Sequence, residues 1–244
     1  MVLLDIEIVN GLLATIFVII SVYVGIRILL KFFEKKQRVF LFFGLTWILI
    51  VCPWYPFMIS FFVGLATDNA LPLQTYVLLG NLLVPPGILV GVAAFTELLY
   101  HDSQKTLCIV FGIIAILMEI FIVYLIIFNP SFIGILNDRV DFEYSLFFQA
   151  YLLSMLLIIL IAGILFSRKS LLADDKMIKL KGKFLLVAFI TFSIGTAMEA
   201  TVPLNYVTLV ITRLFLLLSA LCFYGGFILP KWMGHLFGVE QPAE

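Results

Sequence analysis

Residues 107–128 read LCIVFGIIAILMEIFIVYLIIF, an apolar run whose single charged residue is Glu119. A helix that crosses a bilayer needs about 20 such residues. The run does not alternate between apolar and polar side chains, as a strand of a membrane barrel would. This stretch therefore predicts a membrane-spanning helix.

The rest of the chain has the same character. Of its 244 residues, 64% are apolar and 12% are charged, and the mean hydropathy is +1.20. Ordinary soluble domains are about 45–50% apolar and about 25% charged. We therefore expect an all-α integral membrane protein, a single seven-transmembrane helix bundle over 1–244 that lies in the cell membrane as a multi-pass protein. The predicted spans are about 8–26, 40–63, 75–100, 107–128, 144–166, 184–204 and 206–229.

The basic residues predict the orientation of these spans. With seven spans and an outside N-terminus, thirteen of the fifteen Lys and Arg residues fall on the cytoplasmic side. Arg139 is on the outside and Arg213 is within the last span. This separation of charge favours seven spans over the alternative count of six, in which the last two spans form one long hairpin around Pro203. We expect an outside N-terminus that is a retained anchor, because Met1 to Asn10 carries no basic residue, and a cytoplasmic C-terminus.

Three ionisable residues interrupt the predicted spans. Glu119 and Arg213 both lie about 12 to 14 Å below the outer edge at 1.5 Å per residue, and Glu199 lies about 6 Å below it. Such groups are rare in membranes and face a partner or a water-filled cavity. We expect Arg213 to contact Glu119 or Glu199. The set is either a buried ion pair that fixes helix register or part of a binding site.

Four prolines suggest a cavity in the same layer. Pro53, Pro56, Pro85 and Pro86 remove backbone donors from spans two and three and should bend both helices. The aromatic residues of span two are expected to face lipid and to pack at the membrane interface, and the alternative is an aromatic ligand box. We therefore predict an outer-half pocket for a small polar or charged ligand. Its predicted ligand-binding residues are Glu119, Arg213, Glu199, Asn81 and Tyr151.

Several kinds of chemistry lack the residues that they need. His101 and His235 lie at the cytoplasmic edge, and the three cysteines have no metal-ligand spacing, so we expect no metal, no cofactor and no enzyme activity. The balanced charge predicts no nucleic-acid partner. The loop 167–183 mixes six basic residues with apolar ones and could form an interfacial helix. It is either an anchor on anionic membrane lipid or the docking site of a cytoplasmic protein partner.

The span count, orientation, bent inner helices and outer polar layer resemble the bundles of opsin-like and G-protein-coupled-receptor-like proteins, and the seven-helix sensor regions of prokaryotic signalling proteins. The last span has no Lys for a retinal Schiff base and no Asn-Pro-x-x-Tyr run. The third span ends in Thr96-Glu97-Leu98-Leu99-Tyr100 and not in an acidic-Arg-aromatic triplet. The resemblance implies a receptor or sensor without retinal.

Two functions therefore follow as expectations. The first is a receptor-like or sensory protein with an outward-facing polar pocket. The alternative is a small ion- or proton-coupled transporter. A pocket closed towards the cytoplasm favours the receptor, whereas a polar path from the Glu119 layer to Glu97 favours the transporter.

Overall fold

The seven predicted spans are confirmed as helices, or pairs of helices, that are long and apolar enough to cross a membrane. The computed structural model describes residues 5–203 and 205–239. The predicted outside N-terminus and cytoplasmic C-terminus, residues 1–4 and 240–244, lie outside the described residues. The helices are α1 (Asp5–Lys35), α2 (Arg38–Ile50), α3 (Tyr55–Thr67), α4 (Leu73–Asn81), α5 (Val84–Leu99), α6 (Gln104–Phe128), α7 (Leu146–Leu171), α8 (Lys176–Thr201), α9 (Tyr206–Phe227) and α10 (Lys231–Leu236).

Spans two and three are each broken near the middle, as the prolines predict. In span two, a 3₁₀ turn at Cys52–Trp54 separates α2 from α3. In span three, α4 ends at Asn81 and α5 begins at Val84. Pro56 lies in the first turn of α3, and Pro85 lies in that of α5. Proline is tolerated there because a first-turn residue has no intrahelical hydrogen bond to donate.

The spans form a ring with one helix outside it. Helix α1 packs against α2, α3 and α9, and the ring continues from α2 to α5, α7, α8 and back to α9. Helix α6 lies at the edge of this ring and packs mainly against α4 and α5, while its Phe121 also contacts Phe147 of α7. Close approach of α1 and α2 depends on Gly44, where a Cβ would lie 2.6 Å from the backbone nitrogen of Leu29. Small residues of this kind allow helices to pack without a hydrophobic driving force.

A β-hairpin closes one end of the bundle, which the all-α expectation did not include. Strands β1 (Gly134–Asp138) and β2 (Asp141–Tyr144) pair in antiparallel fashion within the predicted outer loop. Val140, at the turn, is buried beside Phe61. We call this the hairpin end. The opposite end carries the α7–α8 connection and α10, and we call it the lysine-rich end.

The prediction that the aromatic residues of span two face lipid is wrong for most of them. They are buried because α2 packs between α1 and α5, and α3 packs against α1 and α4. Trp47 and Phe223 have ring centroids 4.0 Å apart, which joins span two to α9. Phe62 is the exposed member of the set at 52%. The buried members are Phe43, Trp47, Trp54, Phe57 and Phe61.

The loop 167–183 does not form a separate interfacial helix. Helix α7 continues to Leu171, and α8 begins at Lys176 after a short turn. Asp175 caps α8, because its carboxylate accepts a hydrogen bond from the backbone N–H of Ile178 at 2.9 Å. The connection between α8 and α9 is equally short. Asn205 caps α9 with its side chain, so these are two helices and not one long hairpin.

Candidate functional site

A buried arginine is the centre of the polar network at the hairpin end. Arg213 on α9 is 1% exposed. Its Nη1 donates to Oε2 of Glu199 on α8 at 2.8 Å, and its Nη2 donates to Oδ1 of Asn10 on α1 at 2.7 Å. Charge-assisted hydrogen bonds of this length are the strong ones in proteins. The predicted contact between Arg213 and one of two acids is confirmed, and the acid is Glu199.

Two aromatic side chains of span two complete the surroundings of this ion pair. The indole Nε1 of Trp54 donates to the same Oε2 of Glu199 at 3.0 Å. The guanidinium carbon of Arg213 lies 5.4 Å from the ring centroid of Phe57, within the range of a cation–π interaction. Trp54 lies in the break between α2 and α3, and Phe57 lies in the first turn of α3. The break therefore places an indole donor and an aromatic face against the ion pair.

Asn10 connects the ion pair to the hairpin. Its Nδ2 donates to the backbone carbonyl of Val140 at 2.7 Å, while its Oδ1 accepts from Arg213. The preceding residue, Arg139, forms an ion pair with Asp68, in which Nη1 and Oδ1 are 2.9 Å apart. Its backbone N–H donates to Oε1 of Glu7 at 3.2 Å. The hairpin turn is thus tied to α1 and α3. The side chain of Asn10 would therefore transmit a displacement of the hairpin to Arg213.

A polar cavity lies between the hairpin and the adjacent ends of α8 and α9. Its volume is about 420 Å³, within the range of about 300–1,000 Å³ that is typical of small-molecule sites. Glu199 forms part of its wall, and Arg213 lies behind Glu199. Its other polar side chains come from α1, the hairpin, α7, α8 and α9. They are Asn10, Asn137, Asp141, Glu143, Tyr144, Gln149, Thr201, Thr208 and Thr212.

The charge of the cavity wall is negative. Three carboxylates line it, from Asp141, Glu143 and Glu199, and no Lys or Arg lines it within residues 5–203 and 205–239. Burial raises the pKa of Asp141, the hydrogen bond from Asn137 opposes this, and the charges of Asp138 and Glu143 raise it further. A bound cation would offset this mutual repulsion. The wall is therefore complementary to a positively charged ligand.

Glu119, Tyr151 and Asn81 do not line this cavity. Glu119 is on the outer helix α6, where its Oε2 is buried and has no hydrogen-bond partner among the described residues. Tyr151 lies near enough to Glu119 to interact with it electrostatically, and packs against Phe148. Asn81 is buried at the end of α4, and its Nδ2 donates to the carbonyl of Val77 at 3.0 Å. The structure therefore joins Arg213 and Glu199, sets Asn81 beside Tyr144 of the cavity wall, and leaves Glu119 and Tyr151 outside this wall.

Sequence reasoning did not assign three parts of this site. Asn10 lies in the first span, whose polar residues also include Thr15 and Ser21, so the sequence does not single it out. Trp54 and Phe57 were assigned to lipid because an aromatic run carries no sign of its direction. The cavity acids Asp141 and Glu143 depend on the fold of the hairpin.

The half of the bundle towards the lysine-rich end is apolar. A second cavity there, of about 280 Å³, is lined almost entirely by aliphatic and aromatic side chains. Between the two cavities, Trp54 contacts Phe192, and Phe192 contacts Trp47, with ring centroids 6.0 and 5.4 Å apart. This aromatic layer separates the polar cavity from the lysine-rich end.

No protein-family model, curated protein or solved structure matches the chain. What the fold defines is a helical bundle with seven apolar helices that suit a multi-pass membrane protein. Function has to be argued from the site itself.

Proposed function

We propose that this protein is a receptor-like or sensory membrane protein whose polar cavity at the hairpin end binds a small cationic ligand from outside the cell. The observation that carries the proposal is the cavity of about 420 Å³ with three carboxylates and, in the part of the chain that the structure describes, no basic residue in its wall. The hairpin end is assigned to the outside because the basic residues concentrate at the opposite end.

An organic ammonium ion fits this wall better than an anion or a neutral ligand. Glu199 already pairs with Arg213, so Asp141 and Glu143 contribute charge that Arg213 does not balance. Asn137 donates to both of these carboxylates, at 3.3 and 3.4 Å, but is neutral. A ligand with one or two ammonium groups would supply the missing positive charge.

The network provides a route from the cavity to the helices. Glu199 lines the cavity and accepts hydrogen bonds from both Arg213 and Trp54. A cation that draws Glu199 towards the cavity would weaken its bond to Trp54, which stands at the break between α2 and α3. A broken span is the kind of element that can adopt two arrangements. We propose that this break transmits ligand binding along span two.

The apolar half of the bundle favours a receptor over the alternative, a transporter. Carriage of a cation to the other side would need polar groups along its path. Below the site lie the aromatic layer of Trp54, Phe192 and Trp47 and the apolar cavity. The loop 167–183, for which an anchor on membrane lipid and a docking site for a cytoplasmic protein partner are the two alternatives, joins α7 to α8 at the lysine-rich end. In the second case it would receive the signal.

The binding test compares three probes with the same four-carbon backbone. We expect putrescine to bind the purified protein in nanodiscs saturably, as measured by calorimetry. We expect succinate and 1,4-butanediol to show no saturable binding. Equal binding of all three, or no binding of putrescine, would refute the cationic site.

Variants and a transport assay complete the test. The double variant Asp141→Asn/Glu143→Gln should lose putrescine binding, whereas Asp138→Asn should retain it, because Asp138 is on the same hairpin but does not line the cavity. Radiolabelled putrescine should not enter proteoliposomes that contain the protein. Uptake above that of empty liposomes would replace the receptor with the transporter.

A further inference from the structure

A second cleft, at the lysine-rich end, combines positive charge with an apolar wall. It has a volume of about 540 Å³ and lies against α8, α9 and the segment that follows α10. Lys176, Lys179 and Lys183 line it, and among the described residues no acidic side chain does. The three lysines are spaced i, i+3 and i+7, so they share one face of α8.

The rest of the cleft wall is apolar. Phe184 and Phe237 meet edge to face with ring centroids 5.3 Å apart at its side. Val187 and Cys222 form the part furthest from the lysine-rich end. From Lys176 to Val187 the helix rises about 16 Å at 1.5 Å per residue. The cleft therefore runs from the charged end of α8 into the membrane-spanning part of the helix.

We propose that this cleft binds one anionic phospholipid of the cytoplasmic leaflet. Its phosphate lies among the ammonium groups of Lys176, Lys179 and Lys183, and one acyl chain lies along Phe184 and Val187. None of the three lysines forms an ion pair within the described parts of the chain. Lysine binds phosphate as a point charge, and basic residues beside a membrane attract anionic lipid.

The shape of the cleft favours a lipid over a soluble acidic peptide. A peptide in the cytoplasm could reach the lysines but not the apolar part between α8 and α9, which lies at bilayer depth. Next to the cleft, α10 exposes Trp232 by 61% and Leu236 by 75%. Exposed aromatic and aliphatic side chains on a short helix are typical of the membrane interface.

Native mass spectrometry of the full chain tests the proposal. The probes are phosphatidylglycerol and phosphatidylcholine with identical acyl chains, and inorganic phosphate as the soluble source of the same chemistry. We expect one tightly bound phosphatidylglycerol, at least tenfold preferred over phosphatidylcholine and not displaced by millimolar phosphate. Equal retention of both lipids, or displacement by phosphate, would overturn the lipid site.

Matched variants locate the site. Lys179→Gln/Lys183→Gln should weaken phosphatidylglycerol binding about 30-fold, because each basic residue at a membrane surface contributes about fivefold. Lys35→Gln/Lys105→Gln removes the same charge at the same end but outside the cleft and should change binding less than twofold. Val187→Trp should fill the apolar part and weaken binding while the lysines remain. Equal losses in both double variants would reduce the effect to general surface charge and overturn the site.

Discussion

Two acidic residues within the membrane-spanning helices, Glu199 and Glu119, have opposite surroundings. Glu199 on α8 accepts hydrogen bonds from Arg213 and Trp54, and Asn10 extends the same network to the hairpin. Glu119 on α6 has a buried oxygen without a hydrogen-bond partner among the described residues. Their sequence contexts are alike, since each follows small residues at helical spacing. The difference comes from the position of the helix in the bundle.

The position of α6 explains why its acid is unpaired. Helix α8 lies in the ring between α7 and α9, whereas α6 lies outside and contacts α4 and α5. A carboxylate in the ring can meet groups from several helices, but one at the edge meets few. Depth below the membrane surface therefore does not by itself place two charges in one site.

The largest expected effect comes from the removal of the arginine. Arg213→Leu should reduce the free energy of unfolding by about 3 kcal/mol, the lower end of the usual range for a broken buried pair, because Glu199 is partly exposed. Steric-trapping or detergent-unfolding measurements would check this. Arg38→Leu, an exposed arginine at the other end, should stay within about 0.5 kcal/mol. A loss below about 1 kcal/mol for Arg213→Leu would show that the network contributes little stability.

The second largest effect on stability is expected at Asn10, the side chain that connects the hairpin to the ion pair. Asn10→Ala should cost about 1–3 kcal/mol, since it leaves the carbonyl of Val140 and one nitrogen of Arg213 without their partner. Backbone amides of residues 134–144 should also exchange faster with solvent. Asn69→Ala, in an exposed loop, is the control and should alter neither quantity. Unchanged exchange in the hairpin would mean that Arg139 alone holds it in place.

The sequence predicted the helices better than the site, for a physical reason. Apolar length fixes where a span lies, and Pro56 and Pro85 fix where it breaks, because both effects are local. Which way a side chain faces depends on the neighbouring helices. The pairing of Arg213 was predictable because a buried charge requires a partner, but the choice of Glu199, the contribution of Trp54 and the separation of Glu119 depend on the order of helices in the ring.

The hairpin shows the same limit. Residues 129–143 read as an acidic outer loop, and the turn at Val140 has no strong hairpin motif. Its fold is fixed by distant partners, with Asn10, Ser60 and Glu7 all bonding to the backbone of residues 139–140. Contacts more than 70 positions apart in the chain leave no local pattern. The three-carboxylate wall of the cavity was therefore not visible in the sequence.

A smaller effect, on pH dependence, separates the hairpin from the rest of the bundle. The raised pKa of Asp141 means that the folded state holds this proton more tightly than the unfolded state. Stability should therefore decrease as the pH rises from the ordinary aspartate value of about 3.9 to the raised one, and become flat above it. Asp141→Asn should remove this slope. Asp102→Asn, at the other end, should keep it, and a slope that survives in Asp141→Asn would assign it to another group.

The smallest effect is expected at Glu119, and it decides whether the comparison holds. Glutamine has nearly the shape of glutamate without its charge, so Glu119→Gln breaks no hydrogen bond to Oε2 and removes the cost of a charge next to lipid. The free energy of unfolding should stay within about 0.5 kcal/mol or rise slightly. Glu199→Gln is the matched change in the ring, and it should cost about 1–3 kcal/mol because Arg213 loses a charged acceptor.

Putrescine binding should likewise persist in Glu119→Gln, since Glu119 does not line the polar cavity. Equal losses of stability in the two variants would mean that Glu119 has a partner of its own, and loss of binding in Glu119→Gln would return it to the site from which the structure separates it.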